Sequence, residues 1–207
     1  MARRKKSSLT VTIVLIVCAI AWFAQNRGDL VSEEGDYQVY SGCRLVDARG
    51  NDGDSFRVVF SDGEEKVLRL YFVDAPESAV RTYRNGETNE KRLDYQARDL
   101  GGLSRDEVLA IGKEAKTAVR DLLSAAPFTV ATKGQEVFDS GRFYSFVLVD
   151  SGGEERFLHE LLVERGLVRI YTEGAGLPDG TTRMAQEKNL RRLEREAKAA
   201  RRGAWGL

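Results

Sequence analysis

Apolar residues recur at two different periods along this chain, and the change of period divides it. Between residues 37 and 73 the period is two. The runs 37–46, 55–60 and 66–73 are rich in Val, Tyr, Phe and Leu, and in the middle run Phe56, Val58 and Phe60 alternate with other residues, as a half-buried strand requires. Asp52-Gly53 and Asp62-Gly63 separate the runs, and Asp-Gly steps are strong hairpin signals, so three sequential antiparallel strands are predicted. Residues 77–102 form a polar excursion. Six basic and six acidic side chains lie between Ser78 and Glu107, a density too high for core. At Ser104-Arg105-Asp106-Glu107 the chain has the spacing of a capping box. Val108, Ile111, Ala115, Ala118, Val119, Leu122 and Leu123 then recur three or four apart. This predicts a helix that ends near Ala125, ahead of Pro127, with Gly112 as its point of breakage. Two more strands are predicted at 128–133 and 143–149. A short helix at 157–165 closed by Gly166, a strand-like run at 167–171 and a last helix over 182–200 complete the order.

Five or six strands, with one helix after the third and two behind the fifth, predict a mainly β domain of the α+β class. The layout is that of a five-stranded Greek-key barrel of the oligonucleotide-binding type (OB-fold), with about three helices. An N-terminal apolar helix is expected ahead of it, because Leu9 to Ala24 carry no charge and follow the basic residues Arg3 to Lys6. Basic residues before an apolar run keep the N-terminus inside and send the following domain across the membrane. Residues 1–27 are therefore read as a signal peptide or signal anchor. Ala19-Ile20-Ala21 offers a small-residue cleavage site, and Trp22 and Phe23 offer an interfacial anchor, so both fates stay open. Residues 28–36 read as an acidic spacer and 37–207 as the functional domain. Export is the expectation, either anchored facing outward through residues 9–24, with the membrane as a partner, or released as a secreted or periplasmic protein.

Charge sharpens this picture. The formal net charge is zero, but five of the 32 basic side chains lie in residues 1–27, which hold no acid. The rest of the chain has 27 basic against 32 acidic residues, a net of −5. A mildly acidic body does not coat nucleic acid electrostatically, but it permits phosphate binding at a focused arginine site. Cys18 lies in the apolar run and leaves Cys43 alone in the body, so no disulfide forms within it. One cysteine and one histidine cannot build a zinc cluster.

The candidate chemistry lies in short segments. Asp54 opens the second strand, Arg69 and Asp74 lie on the third or at its end, Glu77 follows, and Arg142 enters the fifth strand after Gly141. Antiparallel order returns these residues to one end of a barrel. Three carboxylates with guanidinium groups suit a hard metal ion and a phosphate diester. Each residue taken singly fits a turn, a strand exit or an edge, and only the combination points to a metal-dependent nuclease site. Tyr144 and Tyr171 are candidate base-stacking surfaces, with barrel core or rim as the plainer reading. His159 stands in the short helix, away from these motifs, as a packing or surface residue.

The order Asp52-Gly53-Asp54, Arg69, Asp74-Ala75-Pro76-Glu77, Gly141-Arg142 and Leu161-Leu162-Val163-Glu164-Arg165-Gly166-Leu167 resembles the staphylococcal nuclease (thermonuclease) family over roughly residues 46–205. Trp205 resembles the tryptophan that packs the last helix in that family. The excursion after Glu77 is longer than in its compact secreted members, and Ala75 and Ser140 stand where the family tends to have Thr and Tyr. The resemblance implies a Ca²⁺-dependent endonuclease working as a monomer on single-stranded or frayed DNA and RNA, leaving 3′-phosphate and 5′-hydroxyl ends. Asp54, Asp74 and the backbone carbonyl of Ala75 would ligate Ca²⁺. Glu77 would position or deprotonate the attacking water, and Arg69 and Arg142 would hold the phosphate. The alternative left open is a catalytically silent barrel that binds nucleic acid or a protein at the membrane.

Overall fold

The structure, a computed structural model, describes residues 37–207. The expected apolar helix, the 1–27 signal or anchor and the 28–36 spacer lie outside the described residues. The membrane partner expected through residues 9–24 is corrected: among the described residues no helix is long and apolar enough to cross a membrane, and the membrane is withdrawn as a partner.

Strands β1 (Gln38–Leu45), β2 (Ser55–Val59) and β3 (Glu65–Leu70) run antiparallel in sequence, as the alternation predicts. The barrel is completed by β5 (Phe128–Glu136) and β6 (Arg142–Asp150). The strand order is β3-β2-β1-β5-β6, and β6 returns to pair in parallel with β3, so these five strands close on themselves. The result is a five-stranded mixed barrel, with β7 (Glu155–Phe157) added on the outer side of β6. Phe56, Val58, Leu68, Leu70, Val130 and Phe146 belong to one buried core, because period-two strands turn alternate side chains inward.

Among the described residues four α-helices surround the barrel, one more than predicted for this domain. The additional helix, α1 (Glu90–Asp99), lies inside the polar excursion. Leu93, Gln96 and Ala97 form its buried stripe, at the spacing a helix face requires. Its first two apolar members pack with Val108 in a small satellite core. Helix α2 (Arg105–Ala125) opens on the predicted capping box, with Ser104 and Glu107 bonding reciprocally. It runs unbroken through Gly112, so the expected breakage there does not occur. Helix α3 (Leu158–Glu164) closes on Gly166 in the left-handed region, φ 69°. Helix α4 (Arg183–Ala199), capped by Thr182, leads into a 3₁₀ turn at Gly203–Gly206. There the Ala204 N–H reaches the Gly166 carbonyl at 3.0 Å, tying the C-terminal end to α3.

The predicted strand over 66–73 is not continuous. Phe72 adopts φ 68°, a left-handed conformation rare outside glycine, and turns the chain out of the barrel sheet. Its N–H donates to the Glu173 carbonyl at 2.6 Å, and its ring fits against Gly174, where a Cβ would stand 2.4 Å from the ring. The turn redirects the next two residues, β4 (Val73–Asp74), to pair with β8 (Arg169–Ile170). That pairing sets Asp74 opposite Arg169.

Candidate active site

Three segments meet at the end of the barrel where β3 leaves the sheet. The first is the loop before β2. Asn51 accepts the Arg57 N–H at 2.9 Å and donates to the Val46 carbonyl at 2.8 Å, which shapes this loop. The Asp54 carbonyl accepts Leu70 N–H at 2.9 Å, fixing Asp54 beside the end of β3. Gly53 is pressed between two neighbours: a Cβ there would stand 2.8 Å from the Cβ atoms of both Ala115 and Ala75. The second segment is the β4 exit, Asp74 to Glu77, which lies against α2. The third is the β5–β6 turn, where Gly141 at φ 69° presents Arg142.

Asp54 is 4% exposed. Its carboxylate accepts from Ser55 Oγ at 3.0 Å, from the Ala75 N–H and from Arg69 Nη1. Arg69 bridges, because its other terminal nitrogen, Nη2, donates to Asp74 Oδ1 at 2.8 Å. Asp74 is 2% exposed and fully engaged. Its Oδ1 also accepts from Arg92 Nη2 at 2.7 Å, and its Oδ2 accepts from Arg169 Nε at 2.9 Å and Gln96 Nε2 at 3.1 Å. Burial pushes both carboxyls upward, and Asp54 stays raised because one arginine only partly opposes it. At Asp74 burial is overcome: Arg92, Arg69 and Arg169 together hold it below the usual carboxylate range.

Glu77 and Ala75 are held by the same inserted helix. Gln96 donates to the Ala75 carbonyl at 3.0 Å and accepts the Glu77 N–H at 2.9 Å. The Glu77 carboxylate meets Arg92 Nε at 2.8 Å and Asn89 Nδ2 at 3.0 Å. Arg142, across the cleft, bonds Ser140 Oγ at 3.1 Å and makes no ion pair among the described residues. The parallel register pairs Val67 with Arg142 and Arg69 with Tyr144, which places both arginines on neighbouring strands at one end. Asp54, Arg69, Asp74, Ala75, Glu77 and Arg142 all line one cleft of about 450 Å³, together with Tyr144 and Tyr171. The two tyrosines differ. The Tyr144 ring is buried, stacked on Tyr71 at 5.0 Å, with its hydroxyl bonded to Thr172. Tyr171 is 66% exposed, and Arg169 lies over its ring at 3.8 Å. His159 is outside the cleft, buried among aromatic rings.

A hard divalent cation can be tested against these donors. Asp54, Asp74 and the Ala75 carbonyl supply only oxygen, so the donor chemistry fits Ca²⁺ in kind, although Arg69 already pairs with both carboxylates and Gln96 with Asp74 and the carbonyl, and a bound ion would have to displace some of these donors. In number it is sparse. Among the described residues no group of three or more Asp, Glu, His or Cys side chains is gathered as a metal set, so most of a six- to eight-oxygen shell would come from water and substrate.

Arg92, Gln96, Asn89 and Arg169 are the site residues that pattern reading missed. Three of them fall in the excursion, where charge density masked a helical stripe. Arg169 carries its own signal, a lone charge within the apolar run Leu167-Val168-Arg169-Ile170.

Comparison with known proteins adds one finding. The family model described as staphylococcal nuclease homologue matches residues 67–206, about two thirds of the chain. The match begins on β3, so Asp54 enters the site from outside the matched span. No curated protein matches the chain.

Proposed function

The chain belongs to the staphylococcal nuclease family, and from that premise we propose that residues 37–207 form a Ca²⁺-dependent nuclease. At the level of the family the activity is that of a hydrolase. In the finer reading it cuts single-stranded or frayed DNA and RNA, leaving 3′-phosphate and 5′-hydroxyl ends. The basic and apolar start of residues 3–24 supports export. One observation carries the reading: Asp54, Arg69, Asp74, Glu77 and Arg142, drawn from separate segments, line the same cleft.

Each residue has a task that its position supports. Asp54, Asp74 and the Ala75 carbonyl would hold the Ca²⁺. The bound ion would supply positive charge at the phosphate and a more acidic water. Glu77 would position or deprotonate the attacking water, and Asn89 and Arg92 fix its two oxygens in place. Arg142, with no carboxylate paired to it among the described residues, would offer its fork to the non-bridging phosphate oxygens. Arg69 adds a second positive charge at the same end of the barrel, where negative charge grows as the phosphorus becomes five-coordinate. Charge placed in advance at such a point is commonly the largest catalytic contribution.

Release of acid-soluble nucleotides from denatured DNA, with Ca²⁺ and then with a chelator, tests the reading. Turnover is expected with Ca²⁺ and none under the chelator. Glu77→Gln and Arg142→Ala should each lower the rate at least about 10²-fold. No turnover with Ca²⁺, or full turnover under the chelator, removes the reading and leaves a silent nucleic-acid-binding barrel.

A further inference from the structure

The segment after Glu77 is fastened to the cleft rather than draped over it. Thr82 and Thr88 form a β-bridge, and Tyr83 N–H bonds the Glu87 carbonyl at 2.7 Å. Asn89, 3% exposed, is the clasp: its Oδ1 accepts the Arg81 N–H at 2.8 Å, and its Nδ2 donates to Glu77 Oε2 and to the Ala79 carbonyl, both at 3.0 Å. This hairpin and α1 bring two further guanidinium groups to Glu77. Arg92 Nε stands 2.8 Å from Oε1, and Arg81 Nε stands 4.0 Å from Oε2. Both arginines line the cleft, with Tyr83 beside them.

A purely structural role accounts poorly for the pair. Asp74 keeps Arg69, Arg169 and Gln96 as donors without Arg92, and Glu77 keeps Asn89 without either arginine. The Arg81 side chain is 51% exposed and reaches Glu77 only at 4.0 Å, an ion pair of the kind that contributes little to stability; Arg92 reaches the buried Asp74 and Glu77 yet leaves 44% of its side chain open to the cleft. Their effect on the cleft's charge is large. The lining holds four carboxylates, Asp52, Asp54, Asp74 and Glu77, and four guanidinium groups. Without Arg81 and Arg92 it would hold four carboxylates against two arginines, leaving a bound cation to offset the remainder and little positive charge for a second phosphate. Arginine forks interleaved with an exposed aromatic ring are the chemistry that tracks a single strand, phosphate by phosphate and base by base.

We propose that this segment adds a nucleotide subsite next to the scissile position, in which Arg81 and Arg92 hold the neighbouring phosphate and Tyr83 stacks on its base. The favoured substrate is then a single strand carrying two or more consecutive diesters, not an isolated diester. This rests on the nuclease reading above.

The test compares kcat/KM on a short labelled oligothymidylate with kcat/KM on a 4-nitrophenyl ester of thymidylate, which has a single diester. The proteins are the full chain and its Arg81→Gln, Arg92→Gln and Tyr83→Ala variants, each checked for an unchanged thermal midpoint. Each variant should lose about tenfold more on the oligonucleotide than on the single diester, in line with the worth of one stacked base; Arg81→Gln and Tyr83→Ala should do so mostly through KM, whereas Arg92→Gln, which also frees a Glu77 oxygen, should in addition lower kcat on both substrates. The slope of log KM against log salt on the oligonucleotide should fall by about 0.7 for each arginine removed. Equal losses on both substrates, or an unchanged salt slope in the arginine variants, overturn the subsite while the nuclease reading stands. A parent chain that cleaves neither substrate removes the nuclease reading and the subsite with it. The exposed Tyr83→Ala variant keeps the substrate comparison decisive if an arginine variant fails to fold.

Discussion

Asp74 and His159 are equally cut off from water, at 2% and 1% exposure, yet the fold treats them in opposite ways. Asp74 receives donors from three elements, Arg69 on β3, Arg92 and Gln96 on α1 and Arg169 on β8. Those charges hold it ionised against the effect of burial. His159 lies among Phe72, Phe146 and Phe157, with ring centroids 5.4–5.7 Å away. It meets one polar partner, Gln186 Nε2 at 2.8 Å, and its Nδ1 has none among the described residues. Burial pushes its pKa down to about 3, so it is neutral around pH 7. The difference separates a buried charge that distant segments are assembled to keep from a buried ring that serves as packing. Proton transfer at neutral pH therefore does not belong to this histidine.

The strongest way to break this contrast is to remove the shared arginine. In Arg69→Ala, Asp74 retains three donors, but Asp54 keeps only Ser55 Oγ and the Ala75 N–H. Leaving a buried carboxylate without its cation typically costs about 3–5 kcal/mol. Denaturant unfolding at neutral pH should show a loss of that size, and adding Asp54→Asn should recover part of it, since no buried charge is then left unpaired. A loss below about 1 kcal/mol would mean that the bridge is not what keeps these two acids inside.

The histidine side of the contrast predicts a pH dependence. The unfolded chain protonates His159 near its ordinary value of 6.5, whereas the folded chain does so only near 3. A lowered folded pKa means that the unfolded state binds the proton first as pH falls. The contribution is fully present above pH 6.5 and is lost progressively between 6.5 and 3. Between pH 7 and pH 4.5 it amounts to about 2–3 kcal/mol. His159→Phe should remove that loss while leaving cleavage at neutral pH unchanged, with Gln186 still bonded to Glu160. Identical acid profiles for parent and variant would place the acid sensitivity in the carboxylate cluster instead.

How much of this was legible in the chain follows from which forces a pattern records. Alternating apolar residues encode the barrel strands directly, because a strand must present one face inward, and the Ser104–Glu107 box encodes its helix start through local bonds alone. Arg69, Asp74 and Glu77 could be picked out because they are close in sequence and lie at a strand exit. The turn at Phe72 left no signal: a left-handed aromatic residue is held there by Glu173 and Gly174, a hundred residues away in the chain. Helix α1 was hidden for another reason. Its buried face needs only Leu93, Gln96 and Ala97, and its remaining positions are free to carry the charges that made the segment read as solvent-facing. Gln96 is the instructive residue, since a polar side chain on a buried stripe indicates a polar target, here Asp74, Ala75 and Glu77.

The last and smallest effect concerns how firmly the Asp74–Glu77 exit is held. Helix α2 approaches it backbone to backbone at Gly112, where a Cβ would stand 2.3 Å from the Glu77 carbonyl oxygen and 2.6 Å from that of Pro76. In an open helix Gly→Ala gains about 1 kcal/mol. At this contact both carbonyl oxygens belong to the backbone, so the backbone must shift, and the sign should reverse to a loss of about 1–3 kcal/mol. The shift falls on the Glu77 carbonyl and on the Pro76–Glu77 peptide, whose N–H Gln96 accepts, so cleavage should fall further than stability alone explains. A displacement of about 1 Å can cost 10²-fold in rate. Thermal melting and single-turnover cleavage of Gly112→Ala check both halves. A variant that melts higher than its parent and cleaves as fast would show that the exit adapts freely. The close donor shell around Asp74 would then be incidental packing, no more purposeful than the rings around His159.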